Sequence, residues 1–279
     1  MHCQPDHKHQ VYIWLKNEHP CLICDEATQS AHRVCNVCET ELPWLMEQCA
    51  LCALPLPMDG LICGQCLKKP PAFKHVIAPW TYSFPIDSLI SRFKHQSRWP
   101  FGQMLARLLG QHLQHRFDNA ELTRPDCLLP VPMARKRLRE RGFNQAQMVA
   151  RWLSQDLDIA VDEHLLLRPQ DTVAQQALDA KSRQRNLLTA FALATNADVT
   201  GRHFALVDDV LTTGATAHSL ARLLINAGAR RVDVYCLART RSPSAVNLAP
   251  PPPLPPTLRS TRGFCARLFS SSMASQAAL

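Results

Sequence analysis

Four Cys-x-x-Cys pairs, Cys21–Cys24, Cys35–Cys38, Cys49–Cys52 and Cys63–Cys66, follow one another with ten residues between each pair and the next. Such a turn aims two thiolates at one point in space. Two turns complete the four-sulfur tetrahedron that Zn²⁺ accepts without redox chemistry. Eight sulfurs therefore predict two zinc ions. The simplest pairing is sequential, with Cys21, Cys24, Cys35 and Cys38 around one ion and Cys49, Cys52, Cys63 and Cys66 around the other; interleaved pairing is the alternative. An all-thiolate shell leaves no position for water, so the metal is expected to hold a fold or dock a partner. The competing reading is a disulfide framework. The first twenty residues lack the charged-then-apolar order of a secretory signal, and such bridges do not persist in a reducing compartment, which favours zinc.

Eight of the twelve cysteines lie in this module, and Lys68-Lys69-Pro70-Pro71 changes the composition just after it. With 279 residues, 46% apolar and 19% charged, the chain has material for a second unit with a substantial core, and neither a disordered nor a membrane class is indicated. No stretch approaches the roughly 20 apolar residues of a membrane span, so a cytoplasmic location and no membrane insertion are expected. Beyond Arg241 a run of prolines (251–253, 255 and 256) and a Ser/Ala-rich end cannot bury enough apolar surface to offset chain ordering. The expected organisation is a leader at 1–20, a double zinc ribbon at 21–70, a larger domain at 71–241 and a disordered tail at 242–279.

Within the larger domain, His75–Ser83, Cys127–Val131, Phe204–Val207 and Val232–Leu237 read as strands. Asp87–Arg92, Met104–Phe117, Asn144–Leu153 and Ala215–Ala227 carry helical spacing, the last stopped by Gly228. Buried strands alternating with helices predict an α/β domain with a parallel sheet. Free Cys127 and Cys236 fall inside apolar strands and are expected to pack as small hydrophobes.

The string Val207–Thr216 (VDDVLTTGAT) links such a strand to such a helix. Loop N–H groups and a helix N-terminus converge on an anion in a unit of this kind, Thr hydroxyls add donors, and Gly214 permits close backbone approach. The cradle, Thr212, Thr213, Gly214, Ala215 and Thr216, suits a phosphate monoester. Asp208 and Asp209 beside it suit the vicinal hydroxyls of a ribose. Together they describe a ribose 5-phosphate. No Lys follows the glycine as a nucleoside-triphosphate P-loop requires.

Pro130-Val131-Pro132 ends a buried strand, and Arg135, Lys136, Arg137, Arg139 and Arg141 follow, five cations in seven residues. Ligands of open α/β sheets bind beyond the carboxyl ends of strands, so this basic loop is expected across the crevice from Asp208–Thr216, facing pyrophosphate or nucleic-acid phosphates. A net charge of +8 agrees with an anionic partner. The polar, basic stretch Leu165–Phe191, with Arg168, Gln176, Arg183 and Arg185, reads as a mobile loop over the site. Aromatic residues Trp80, Tyr82, Phe93 and Trp99, just after the cysteine module, suggest base stacking.

Three strings in order behind the cysteine pairs, PVPMARKRLRERGFNQA, LRPQDTVAQQALDAKSRQRN and ALVDDVLTTGATAHSLARLLINAGARRVDVYCLART, resemble the ComF/GntX family over roughly Cys21 to Arg241. The VDDVLTTGAT string resembles the signature of type I phosphoribosyltransferases. That resemblance implies a phosphoribosyltransferase-type fold, with Asp208 and Asp209 at the ribose and catalytic centre, and Mg²⁺ with phosphoribosyl pyrophosphate as ligand. It also implies a role in uptake or utilisation of external DNA, with single-stranded DNA and a competence helicase-type protein as partners. The alternative is an active phosphoribosyltransferase of nucleotide metabolism that acts on an unidentified base or amine. In the transferase reading, catalysis is expected from positioning, Mg²⁺ and charge stabilisation of the leaving group, with no covalent intermediate.

Overall fold

The computed structural model describes residues 19–96, 98–169, 190–195 and 197–241. Two compact units divide after Thr40. The described part of the first contains two short strands, β1 (His19–Pro20) and β2 (Ala27–Thr28), paired antiparallel, and helix α1 (Asn36–Thr40).

The second unit opens with helix α2 (Gly64–Lys68) and two short strands, β3 (Val76–Ile77) and β4 (Trp80–Thr81). Helices α3 (Ile86–Gln96) and α4 (Trp99–Asp118) follow, then β5 (Cys127–Pro130), α5 (Arg135–Arg141) and α6 (Gln145–Leu157). A small antiparallel pair, β6 (Leu166–Leu167) and β7 (Ala192–Leu193), precedes β8 (His203–Leu211), α7 (Ala215–Asn226) and β9 (Arg231–Arg239).

The main sheet is parallel throughout, in the order β3, β9, β8, β5, with β4 continuing the β3 edge of β9. Alternation along the strands sorts its two faces. Phe204, Leu206, Val232, Val234, Cys236, Cys127 and Leu129 join the core formed with α7 and the second cysteine cluster. Residues between them face α4 and α6. Both faces are covered, which accounts for the near-continuous apolar strands. Cys127 and Cys236 are buried in those strands.

The expected strand at His75–Ser83 divides into β3 and β4, both paired with β9. The expected strand at Phe204–Val207 continues to Leu211, because β9 keeps pairing with β8 through Val210↔Ala238 and Leu211↔Arg239. Asp208 and Asp209 therefore lie on the strand itself. The basic stretch 135–141, expected as a loop, is helix α5. Its Ala134 N-cap and the left-handed Gly142 that ends it close a short turn-rich excursion. Asn144 caps α6, its side chain accepting from the Ala146 N–H.

A buried ionic cluster sits at the opposite, N-terminal end of the central strands. His203 Nε2 lies 2.8 Å from Asp233 Oδ2, and Arg231 Nη2 lies 2.9 Å from the same carboxylate. Burial alone would raise the Asp233 pKa, but His203 and Arg231 outweigh it and hold the carboxylate below its ordinary range.

Helices α3 and α4 meet where Gly102 faces the ring of Phe93, and an added Cβ would lie 2.6 Å from that ring. The fully buried Phe93 is boxed by Phe143 at 5.6 Å and Trp152 at 5.9 Å, so it has nowhere to retreat. Gly102→Ala is expected to destabilise the chain by about 1–3 kcal/mol through overpacking, read as a lowered thermal midpoint. An unchanged midpoint contradicts this packing.

Candidate functional site

The cysteine pairs gather sequentially. Sulfurs of Cys21, Cys24, Cys35 and Cys38 lie within 4.8 Å of one another, and so do those of Cys49, Cys52, Cys63 and Cys66. The Cys24–Cys35 and Cys52–Cys63 sulfur separations are both 3.7 Å. That is the edge of a tetrahedron with Zn–S bonds of about 2.3 Å, roughly 3.8 Å. The same contacts recur in each cluster. Cys35 N–H donates to Cys21 Sγ at 3.4 Å and Cys63 N–H to Cys49 Sγ at 3.3 Å, while Asp25 and Ala53 close the knuckle turns at positive φ. The donor set, spacing and N–H···S bonds fit two structural zinc ions held sequentially.

In the second unit, the carboxyl end of β8 is shaped by where its neighbours stop. Strand β5 pairs as far as Pro130↔Val207, and Val131 N–H donates to Val207 O at 2.9 Å. The chain then leaves through α5 and returns at Asn144, whose Nδ2 donates to Val131 O at 3.0 Å. The basic excursion is thus rooted beside Val207, one residue before Asp208. Residues of α5 are unburied, and Arg135, Lys136, Arg137 and Arg139 are exposed, with Arg141 half-buried.

Asp208 and Asp209 are half-buried; the Asp209 N–H donates to Asp208 Oδ1 at 2.9 Å and the Val210 N–H to Asp209 Oδ1 at 2.7 Å. Burial, and then the adjoining Asp209 carboxylate, push the Asp208 carboxyl up to about 7. Lys94, near the end of α3, places its Nζ 2.8 Å from Asp209 Oδ2 and pulls Asp208 the other way. The sequence reading missed Lys94, because a single Lys in an amphipathic helix has no local signal; only the fold carries α3 to the acidic pair.

Thr212 and Thr213 are exposed, and Gly214 stands at the N-cap of α7 with φ +75°. An added Cβ there would meet only Phe73, at 3.9 Å, so the need for glycine is conformational. Thr213 Oγ1 accepts from Ala215 N–H at 3.4 Å. The Gly214 N-cap supplies no side-chain acceptor to the first-turn N–H groups of α7. Arg239, the last residue of β9, was also missed. It is buried, and it donates to Leu211 O at 3.1 Å and to Thr212 O.

Of the residues expected over the site, Arg168 stacks its guanidinium 5.4 Å from the Phe191 ring centroid. Gln176, Arg183 and Arg185 lie outside the described residues, as do 1–18 and 242–279. Among the aromatics, Trp80 and Phe93 are buried, whereas Tyr82 and Trp99 are exposed, Trp99 meeting Phe143 edge-on at 6.4 Å.

Metal analysis of the purified chain should give two zinc per chain, falling to one in Cys21→Ser with Cys24→Ser; a wild-type content well under two contradicts the clusters as zinc sites. The raised carboxyl makes a second prediction. Asp208 keeps its proton to higher pH when folded, so the ligand-free chain loses stability as pH rises from the ordinary value of 3.8 to about 7. Lys94→Met removes a cation and moves that titration further up, as read by carboxylate ¹³C NMR. A carboxyl titrating in the ordinary Asp range contradicts the described environment.

The phosphoribosyl transferase domain family matches residues 142–250, and the double zinc ribbon domain family matches residues 18–67. The DNA utilization protein YhgH of Escherichia coli strain K12 is 36% identical over 221 residues, covering 79% of this chain and 96% of that protein. Competence protein F of Haemophilus influenzae is 34% identical over 207 residues, 74% of this chain and 90% of that protein. Competence protein ComFC of Bacillus subtilis is 26% identical over 241 residues, 79% of this chain and 95% of that protein. The chain therefore belongs to the ComF/GntX family, joining a double zinc ribbon to a phosphoribosyltransferase-type parallel-sheet fold.

Proposed function

We propose that the chain binds a ribose 5-phosphate moiety, free or as phosphoribosyl pyrophosphate with Mg²⁺, and acts in the uptake or utilisation of external DNA. The observation that carries this reading is the carboxyl end of β8. Two adjoining carboxyls there precede a Thr/Gly turn that opens onto the N-terminus of a twelve-residue helix.

In this reading Thr212, Thr213, Gly214, Ala215 and Thr216 take the 5-phosphate. Loop N–H groups and the positive end of α7 supply the field, and Thr hydroxyls add donors. Asp208 and Asp209 accept from the ribose hydroxyls. A protonated Asp208 is a poor acceptor, so the bound state calls for its ionisation, which a nearby cation favours. Lys94 already supplies one such cation at Asp209. Mg²⁺, when bound with phosphoribosyl pyrophosphate, would supply further charge neutralisation at the leaving group. Arg135, Lys136, Arg137, Arg139 and Arg141 stand rooted beside the same strand end and hold pyrophosphate, with Arg168, Gln176, Arg183 and Arg185 completing the cover.

The exposure of α5 supports a second ligand for the same helix. Its cations face solvent, and the exposed Trp99 and half-buried Phe143 lie next to its C-terminal end. A basic track with aromatic neighbours suits single-stranded DNA. The names of the bacterial relatives favour this role, with the ribbons docking DNA or a competence helicase-type protein. The transferase reading, phosphoribosyl transfer to a base or amine, uses the same residues and differs in releasing pyrophosphate.

Calorimetric titration with ribose 5-phosphate should show binding that Asp208→Asn with Asp209→Asn weakens at least about tenfold, since hydrogen bonds to charged groups contribute about 1.5–3 kcal/mol each. Unchanged affinity in that variant overturns the acidic-pair assignment. DNA binding should fall steeply with added salt, whereas turnover should require Mg²⁺ and release pyrophosphate. DNA affinity that is insensitive to salt contradicts the basic helix as the DNA contact.

A further inference from the structure

Arg239 is 3% exposed at the end of β9. Its Nε donates to Cys52 O at 2.9 Å, while Nη1 donates to Leu211 O at 3.1 Å, Thr240 O at 3.1 Å and Thr212 O. One planar cation thus ties a knuckle of the second ribbon to the first residues of the Thr/Gly loop. A buried guanidinium needs its donors satisfied, and losing one acceptor leaves a desolvated charge short of partners. The positions of the Cys52 and Leu211–Thr212 carbonyls therefore depend on each other.

The Cys52 carbonyl is set by a metal-knuckle turn. Ala53, at φ +52°, donates its N–H to Cys49 O at 3.0 Å, and both Cys49 and Cys52 belong to the second cluster. Four thiolates converge on such a turn only when a metal offsets their repulsion. A second strap runs parallel to the first: Ala72 N–H donates to Nδ1 of His218, in the first turn of α7, at 3.0 Å. Between ribbon and loop lies a cavity of about 220 Å³, walled by Cys52, Cys66 and Lys69 on one side and by Thr213, Gly214 and His218 on the other. The first cluster belongs to the other compact unit.

We propose that zinc in the second ribbon fixes the 211–216 loop through Arg239, so that the loop's capacity for an anion depends on that metal and not on zinc in the first ribbon. Arg239 is a positioning residue: it acts through the carbonyls of Cys52, Leu211 and Thr212. Its long, forked cation reaches acceptors on both sides, which a compact ammonium does not. The consequence for anion binding rests on the proposed phosphate role of the loop; the coupling itself does not. Linkage is reciprocal, so an anion bound in the loop also raises the affinity of the second ribbon for zinc.

The test is hydrogen exchange of the full chain without ligand, following residues 211–216 with β9 as an internal reference. Cys21→Ser with Cys24→Ser, loaded with the remaining zinc, should keep wild-type protection at 211–216. Chelating that last zinc should speed exchange there by on the order of tenfold while β9 stays protected. Equal loop exchange before and after chelation overturns the coupling. Should β9 lose protection as well, zinc-loaded Arg239→Lys decides. It keeps the charge but not the fork, so loop exchange is expected to rise with two zinc per chain retained; wild-type exchange in that variant overturns the proposal. Ribose 5-phosphate titrated into both proteins separates the two ideas. A wild-type chain that does not bind it overturns the phosphate reading, whereas unchanged loop exchange in Arg239→Lys overturns the coupling.

Discussion

The parallel pairing of β8 with β9, from His203↔Arg231 to Leu211↔Arg239, is the constraint on which the larger unit depends. It outruns the pairing of β8 with β5, which stops at Val207. Beyond Val207, Asp208, Val210 and Leu211 keep partners on β9 alone, at the edge where ligands of such sheets bind. That overhang carries Asp208 and Asp209, and it delivers Thr212–Gly214 to the start of α7. The far end of the same pairing is pinned by the His203–Asp233–Arg231 cluster. The near end is pinned by Arg239.

Charge is distributed to match. Two carboxyls adjoin at the strand end, one of them raised towards neutrality by burial and by its partner, and Lys94 partly offsets the crowding. The cations of α5 are rooted one residue upstream. In the proposed reading, cations meet the phosphates and carboxylates meet the sugar hydroxyls. In that reading the raised Asp208 carboxyl couples ligand binding to its deprotonation.

Much of this was legible in the sequence, and the reasons are local. Cys-x-x-Cys spacing specifies its own geometry, so two sulfur clusters could be expected; which pairs combine needed the fold. Apolar runs located β5, β8 and β9, but the end of β8 could not be read, since Asp208 and Asp209 disfavour strand and the extension depends on the pairing of Asp208, Val210 and Leu211 with β9. The Arg-rich stretch has no apolar face, which hid a helix defined only by its Gly142 terminus. Lys94 and Arg239 were invisible because each acts at long range, one across α3 to β8 and the other between a zinc knuckle and a loop some 160 positions away in sequence.

The central claim is that the overhang of β8 and the loop after it hold a ribose 5-phosphate. A crystal structure of the zinc-loaded chain with Mg²⁺ and phosphoribosyl pyrophosphate tests it most directly. The account predicts the 5-phosphate on the N–H groups of residues 213–216 and the ribose hydroxyls on Asp208 and Asp209. A ligand bound elsewhere on the chain, with this loop left empty, would contradict it.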